Sequence, residues 1–204
     1  GISSTSIATI AAEPSVAWIG PQPSLTIWNE KARNWMNIGP METSFTTDLD
    51  GSGQIIAVAD SGLDHDHGDF GSRIVGNVDV IGDGSTADAH SGHGTHAACT
   101  VLGDGSRGIY RGVAPEAELY FQAMENDNSG NFQWSSINNM LNTAYSNNAR
   151  IHSNSWGSSS SSDWGVYTSS SEDVDDRTRY YDQYYSGREG LVVLFAAGND
   201  GPGS

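Results

Sequence analysis

Three residues in this chain carry the chemistry of an acid, a base and an oxyanion donor. Asp60 follows the apolar run 55–59 and is itself followed by Ser61-Gly62. A carboxylate at such a strand end can accept a hydrogen bond from a histidine ring and hold that ring in one tautomer. His93 lies in Gly92-His93-Gly94-Thr95-His96, at a predicted helix start. Its flanking glycines let other backbone come close to the ring. Asn199 closes Ala196-Ala197-Gly198-Asn199 beyond another predicted strand. There its amide can donate to an oxyanion forming on a carbonyl, an effect of about 3–4 kcal/mol. Each residue also has a plainer reading: a turn-forming Asp-Ser-Gly, a structural histidine, an asparagine in a glycine-rich turn.

The elements that must position them alternate. Residues 55–59 are a continuous apolar run of buried-strand length, and 94–102 predict a short helix. Residues 117–123 read as a second strand. Trp134, Ile137, Leu141, Ala144 and Tyr145 fall at helical spacing and predict a helix over 133–148. Ile151 begins a strand that leads into Asn154-Ser155-Trp156-Gly157; a polar helix over 172–185 and a fully buried strand over 191–197 follow. This order predicts a parallel α/β sheet, whose chemistry gathers beyond the carboxyl ends of its strands. Residues 1 to about 45 read differently, with a weak helix at 6–12, a break at Glu13-Pro14, a strand candidate at 16–19 and a short helix at 31–36.

Bulk properties exclude some classes. With 25 acids against 9 bases the net charge is −16, which repels nucleic acid and anionic membrane surfaces, so neither is expected as a partner. The longest apolar run, 191–197, is too short to span a bilayer. The single cysteine, Cys99, rules out an internal disulfide and with it a disulfide-stapled scaffold. At 204 residues, one domain with an appendage is expected. The start shows no signal-peptide pattern, and both ends read as cut.

Taken together, Asp-Ser-Gly (60–62), Gly-His-Gly-Thr-His (92–96), Gly-Val-Ala-Pro (112–115), Asn-Ser-Trp-Gly (154–157) and Ala-Ala-Gly-Asn (196–199) closely resemble the subtilisin-like serine peptidases, or subtilases. The likeness covers about residues 48–204. The stretch 149–157 is especially similar to the large alkaline subtilases with a C-terminal β-sandwich domain. The resemblance implies an α/β fold, a doubly wound, mostly parallel sheet flanked by helices, incomplete in this chain. It implies a serine endopeptidase with Asp60 as triad acid, His93 as general base and Asn199 as oxyanion donor. Ser155, Trp156 and Gly157 would form the substrate-pairing wall of the specificity pocket, and Ala196, Ala197 and Gly198 the opposite wall. Gly-Val-Ala-Pro would be scaffold alone.

The family's nucleophile motif, Gly-Thr-Ser-Met-Ala, does not occur in the sequence. The serine is therefore expected on a C-terminal remainder, either a partner fragment of a nicked enzyme or a downstream segment. A catalytically dead, peptide-binding fragment is the alternative. Residues 1–28 resemble a propeptide tail, with maturation near Trp28-Asn29 and with Leu25 and Trp28 as pocket-filling groups, or else form an N-terminal arm; 29–204 would be the front of the catalytic domain. A further departure is Ala97-Ala98-Cys99, where the family has Val-Ala-Gly, and Cys99 is expected to be a buried hydrophobe. The resemblance also implies protein or peptide substrates, a secreted, extracellular enzyme and structural Ca2+. Asp48, Asp50, Asp64, Asp66, Asp69 and the acidic segment 172–176 are the candidate oxygen donors. A zinc site on His90, His93 and His96 is disfavoured, because this spacing across two glycines matches no zinc helix motif.

Overall fold

The computed structural model describes residues 4–16, 29–44, 48–108, 110–133, 136–184 and 190–199. Residues 17–19 of the predicted short strand, together with Leu25, Trp28 and Trp134, lie outside these ranges. In chain order the helices are α1 (Ser4–Ala11), α2 (Asn29–Trp35), α3 (Ile38–Ser44), α4 (His93–Leu102), α5 (Ile137–Ser146) and α6 (Ser169–Tyr184). The strands are β1 (Ile55–Asp60), β2 (Ile74–Asp79), β3 (Glu118–Ala123), β4 (Glu125–Asn126), β5 (Asn131–Phe132), β6 (Ile151–Asn154) and β7 (Val192–Phe195).

Five strands form one parallel sheet in the order β2-β3-β1-β6-β7, and β4 and β5 make a separate antiparallel pair. The chain leaves β1 toward β2 on one side and later returns to β6 on the other. The strand order therefore reverses at β1, which is where α/β sheets open their ligand crevice.

β1 reads Ile-Ile-Ala-Val-Ala-Asp because both of its faces are covered. Ile56 and Val58 face a cluster with Ala98 and Leu102 of α4 and with Leu119 and Phe121 of β3. The small Ala57 meets Ala144 of α5 on the other face. α5 is helical for reasons visible in its sequence. Ser136 caps it by accepting the Asn139 N–H, and Ile137, Met140, Leu141, Ala144 and Tyr145 line one buried stripe. The same face holds a buried polar pair, His152 Nε2 with Gln122 Oε1 at 2.8 Å, and Gln122 Nε2 donates to the Met140 carbonyl at 3.0 Å.

The Gly-Val-Ala-Pro segment explains itself at the far end of α4. Val113 and Ala114 N–H groups donate to the Thr100 and Val101 carbonyls, which the helix leaves without partners. Gly112 is needed there, since a Cβ would stand 2.5 Å from the Leu102 nitrogen. Arg33 of α2 donates to the Gly112 carbonyl and pairs with Glu42 of α3 at 2.7 Å, tying residues 29–44 to this corner.

Two expectations change. β2 was not predicted, and it supplies the sheet edge beyond β3. The run 191–197 was expected to be a fully buried strand, yet Val192, Leu194 and Phe195 are 54%, 52% and 42% exposed. Its shorter strand β7 is the other edge, with β6 as its one partner among the described residues.

Candidate active site

The carboxyl ends of β1, β6 and β7 are level, since Ala59 is in register with Asn154, and Asn154 with Phe195. Asp60, Ser155 and Ala196 therefore leave the sheet together. At strand spacings of about 4.8 Å, the end of β7 stands about 10 Å from that of β1.

Asp60 is 1% exposed, and its Oδ1 accepts both the Ser61 N–H at 2.8 Å and the His93 ring at 2.6 Å through Nδ1. A carboxylate only accepts, so Nδ1 carries the proton and Nε2 keeps its lone pair. The His93 side chain is 54% exposed, leaving that outer nitrogen open to a proton donor. The second oxygen of Asp60, Oδ2, is buried without a hydrogen-bond partner among the described residues. Such an orphan is costly and marks a site shaped for more than stability.

His93 is fixed by hydrogen bonds around the first turn of α4. Asp88 accepts the Gly92 N–H through Oδ1 at 3.0 Å and the Thr95 N–H through Oδ2 at 2.9 Å. The Ser61 hydroxyl accepts the Gly94 N–H at 2.9 Å and donates to Asp88 at 2.9 Å, while Ser91 Oγ accepts the His93 N–H at 3.1 Å. These bonds fill the donors that a helix start leaves open. Gly94 permits the approach, because a Cβ there would lie 2.2 Å from the Gly62 carbonyl oxygen. The residues after the acid and the first residues of the base's helix are thus in backbone contact.

On the other side, Trp156 is half-buried and donates its indole N–H to the Ala59 carbonyl at 3.0 Å. Its ring meets Phe195 edge-on at 5.3 Å and Phe132 at 6.2 Å. Ser155, Gly157, Ala196, Ala197, Gly198 and Asn199 are all exposed at this same sheet end. Beside them opens a cleft of about 950 Å³ lined by Phe132, Trp156, Val166, Tyr167, Val174 and Phe195 among others. Sequence reasoning singled out Asp60, His93 and Trp156 but missed Asp88 and the cleft residues Phe132, Val166 and Tyr167. Asp88 carried no local signal, since its targets are defined only once the loop folds over α4.

The carboxylates expected to hold calcium do not converge. Asp50 Oδ1 accepts the Ser52 N–H and hydroxyl, which hold its carboxyl below the usual range, as in an ordinary turn. Asp173 takes an Asn138 amide and Asp175 the Tyr167 hydroxyl. No three of these carboxylates bring their oxygens together among the described residues. His90 and His93 also diverge, the first onto the Asp127 carbonyl and the second onto Asp60.

A family model described as the subtilase family matches residues 51–204. Thermitase of Thermoactinomyces vulgaris is 31% identical over 154 residues, covering 74% of this chain and 50% of the relative. The major intracellular serine protease of Bacillus subtilis is 33% identical over 152 residues, covering 72% of this chain and 43% of the relative. A calcium-dependent protease of Trichormus variabilis is 34% identical over 166 residues, covering 74% of this chain and 24% of the relative. The chain spans half the length or less of these relatives. The expectation of a secreted, extracellular enzyme is corrected by these findings. It rested on family likeness alone, and one of these relatives is named as intracellular.

Proposed function

This chain belongs to the subtilase family, and from that premise we propose that the whole protein is a serine endopeptidase to which these residues contribute the acid and the base. The observation that carries the reading is the 2.6 Å contact between a buried Asp60 and a half-exposed His93 at the topological switch of the sheet. His93 Nε2 takes the proton of a serine hydroxyl as its oxygen attacks the peptide carbonyl. Asp60 keeps the ring in the required tautomer and stabilises the imidazolium as it forms. The tetrahedral oxyanion is met by the Asn199 amide, and His93 then returns its proton to the leaving amine. Water, activated by the same base, releases the acyl group.

Ser155, Trp156 and Gly157 form one wall of the substrate site and Ala196 to Gly198 the other, a reading supported by their shared exit from the sheet. The serine comes from a C-terminal remainder of the protein. Two observations support that assignment: the absence of Gly-Thr-Ser-Met-Ala from the sequence and the bare apolar faces of β7, which need cover. Residues 1–28 are read as a propeptide tail or an N-terminal arm, and 29–204 as the front of the catalytic domain. The docking of α2 and α3 through Arg33 and Glu42 supports that second boundary. The calcium-dependent relative favours a calcium requirement of the whole protein. The intracellular relative favours a place inside the cell.

Steady-state kinetics of the full-length protein on a peptide substrate test the assignment. His93→Ala is expected to lower kcat by roughly 10⁶-fold and Asp60→Asn by roughly 10⁴-fold, as removal of a triad base or orienting acid does. Asn199→Ala is expected to lower kcat by roughly 10²–10³-fold with KM little changed. Full activity in the His93 variant would overturn the reading, and a wild-type protein that binds peptides without cutting them would replace it with the peptide-binding alternative.

A further inference from the structure

Behind the acid–base pair, on the far side of α4, three unlike donors converge. One ligand atom each from His67, Asp69 and Cys99 lies within 4.8 Å of the others, the one such group of three among the described residues. His67 and Asp69 stand in the loop between β1 and β2, and Cys99 stands on α4. We propose that His67, Asp69 and Cys99 form a binding site for one divalent ion of borderline softness, of the Zn2+ class, that clips this loop to α4.

The donor set points to that class. A thiolate excludes the hard ions Mg2+ and Ca2+ as natural occupants, whereas Zn2+ takes sulfur, nitrogen and carboxylate oxygen together. With Zn–S of about 2.3 Å and Zn–N of about 2.0–2.1 Å, tetrahedral ligation holds sulfur and nitrogen about 3.5 Å apart. Cys99 Sγ and His67 Nδ1 stand 3.8 Å apart, a few tenths of an ångström beyond that, and within the 4.8 Å that bounds the group the widest pair closes by about 1 Å on ligation. The Nδ1 lone pair accepts the Asp69 N–H at 3.4 Å, a long bond that ligation would replace.

The carboxylate is already held. Asp69 is buried, and its Oδ1 accepts the Arg107 N–H at 2.7 Å and the Ser106 hydroxyl at 3.3 Å. Such fixing of a ligand by a second set of partners is what metal sites require. Three protein ligands leave the fourth position to water, and thiolate plus carboxylate balance the ion's charge.

The site's position gives it a consequence. Cys99 is six residues beyond His93, about 9 Å along the helix axis. His67 and Asp69 follow Asp60 by seven and nine residues. A bound ion thus fastens together the two segments that carry the acid and the base, without touching a reacting atom.

The test uses the full-length protein, stripped of metal and titrated with Co2+. The expected result is one equivalent bound, with a thiolate-to-cobalt charge-transfer band and the strong visible absorption of a tetrahedral centre. Zn2+ displaces it and excess Ca2+ does not. Cys99→Ser, which keeps the side chain's size, should abolish the charge-transfer band. It should also weaken binding by at least roughly 10–100-fold, the loss that even outer partners of a metal site cause. In the wild type, Zn2+ should raise Tm until one equivalent is bound. Absence of the band in the wild type at millimolar Co2+ would overturn the site, and so would its persistence in Cys99→Ser or displacement by Ca2+. None of these readouts depends on peptidase activity, so the site and the peptidase reading fail separately.

Discussion

β1 and β7 are both short apolar strands ending in a residue or turn that carries chemistry, and they sit in opposite circumstances. β1 is buried from Ile56 to Asp60, paired on both edges and covered on both faces. β7 is paired with β6 alone, and three of its four side chains are 42% to 54% exposed. Asp60 and His93 at the end of β1 are locked by eight hydrogen bonds through Ser61, Asp88 and Ser91, while Asn199 follows an edge strand left exposed among the described residues. An apolar run therefore records that a strand needs cover, and not that the cover lies in the same chain. In this molecule the Asp60–His93 pair is supported on every side by its surroundings, and the side chains of β7 are not.

The sharpest way to break that contrast is to truncate one aromatic in each region of the full-length protein. Phe121→Ala, in the core beside β1, should cost about 3–5 kcal/mol in denaturant unfolding. If the remainder of the protein covers β7, Phe195→Ala should cost nearly as much. A cost near the 0.5–1.5 kcal/mol of its edge-on contact with Trp156 would mean that β7 stays bare.

The buried polar pair under β1 gives a smaller, pH-dependent effect. Burial depresses the His152 ring to about 4, well below its ordinary 6.5. The unfolded chain takes up a proton below 6.5 that the folded ring refuses. This contribution is therefore fully present above 6.5 and is lost as pH falls to 4, on the order of 3 kcal/mol in all. In His152→Gln, unfolding free energies measured across that window should fall less steeply with decreasing pH. An unchanged slope would remove His152 as the cause.

The smallest effect belongs to the helix start. Asp88→Ala removes the caps on Gly92 and Thr95, and should cost about 0.5–2 kcal/mol in all. Because the caps hold the turn that bears His93, kcat should fall with KM little changed. A loss of stability with kcat intact would make Asp88 a scaffold residue only.

What was legible in the sequence was local. The runs at β1 and β3 and the stripe on α5 announced themselves by continuity or period, and the glycines around His93 marked a close approach. β2 escaped because its interior holds Gly76 and Asn77 and its burial is partial. Gly76 is there so that the strand can lie on the Tyr120 ring, which a Cβ would meet at 2.4 Å. No run of residues reports a contact of that kind. The histidines invited the same error in reverse. Spacing drew attention to His90, His93 and His96, which form no ligand group, while His67, Asp69 and Cys99 come together from segments about 30 positions apart.

The central claim is that Asp60 and His93 activate a serine lying outside these 204 residues. Its most direct test is to label the full-length protein with a fluorophosphonate, map the modified peptide by mass spectrometry, and repeat the labelling on His93→Ala. The account predicts a single modified serine beyond residue 204 in the wild type and labelling slowed by orders of magnitude in the variant. A label on a serine within these residues, or equal labelling of both proteins, would contradict it.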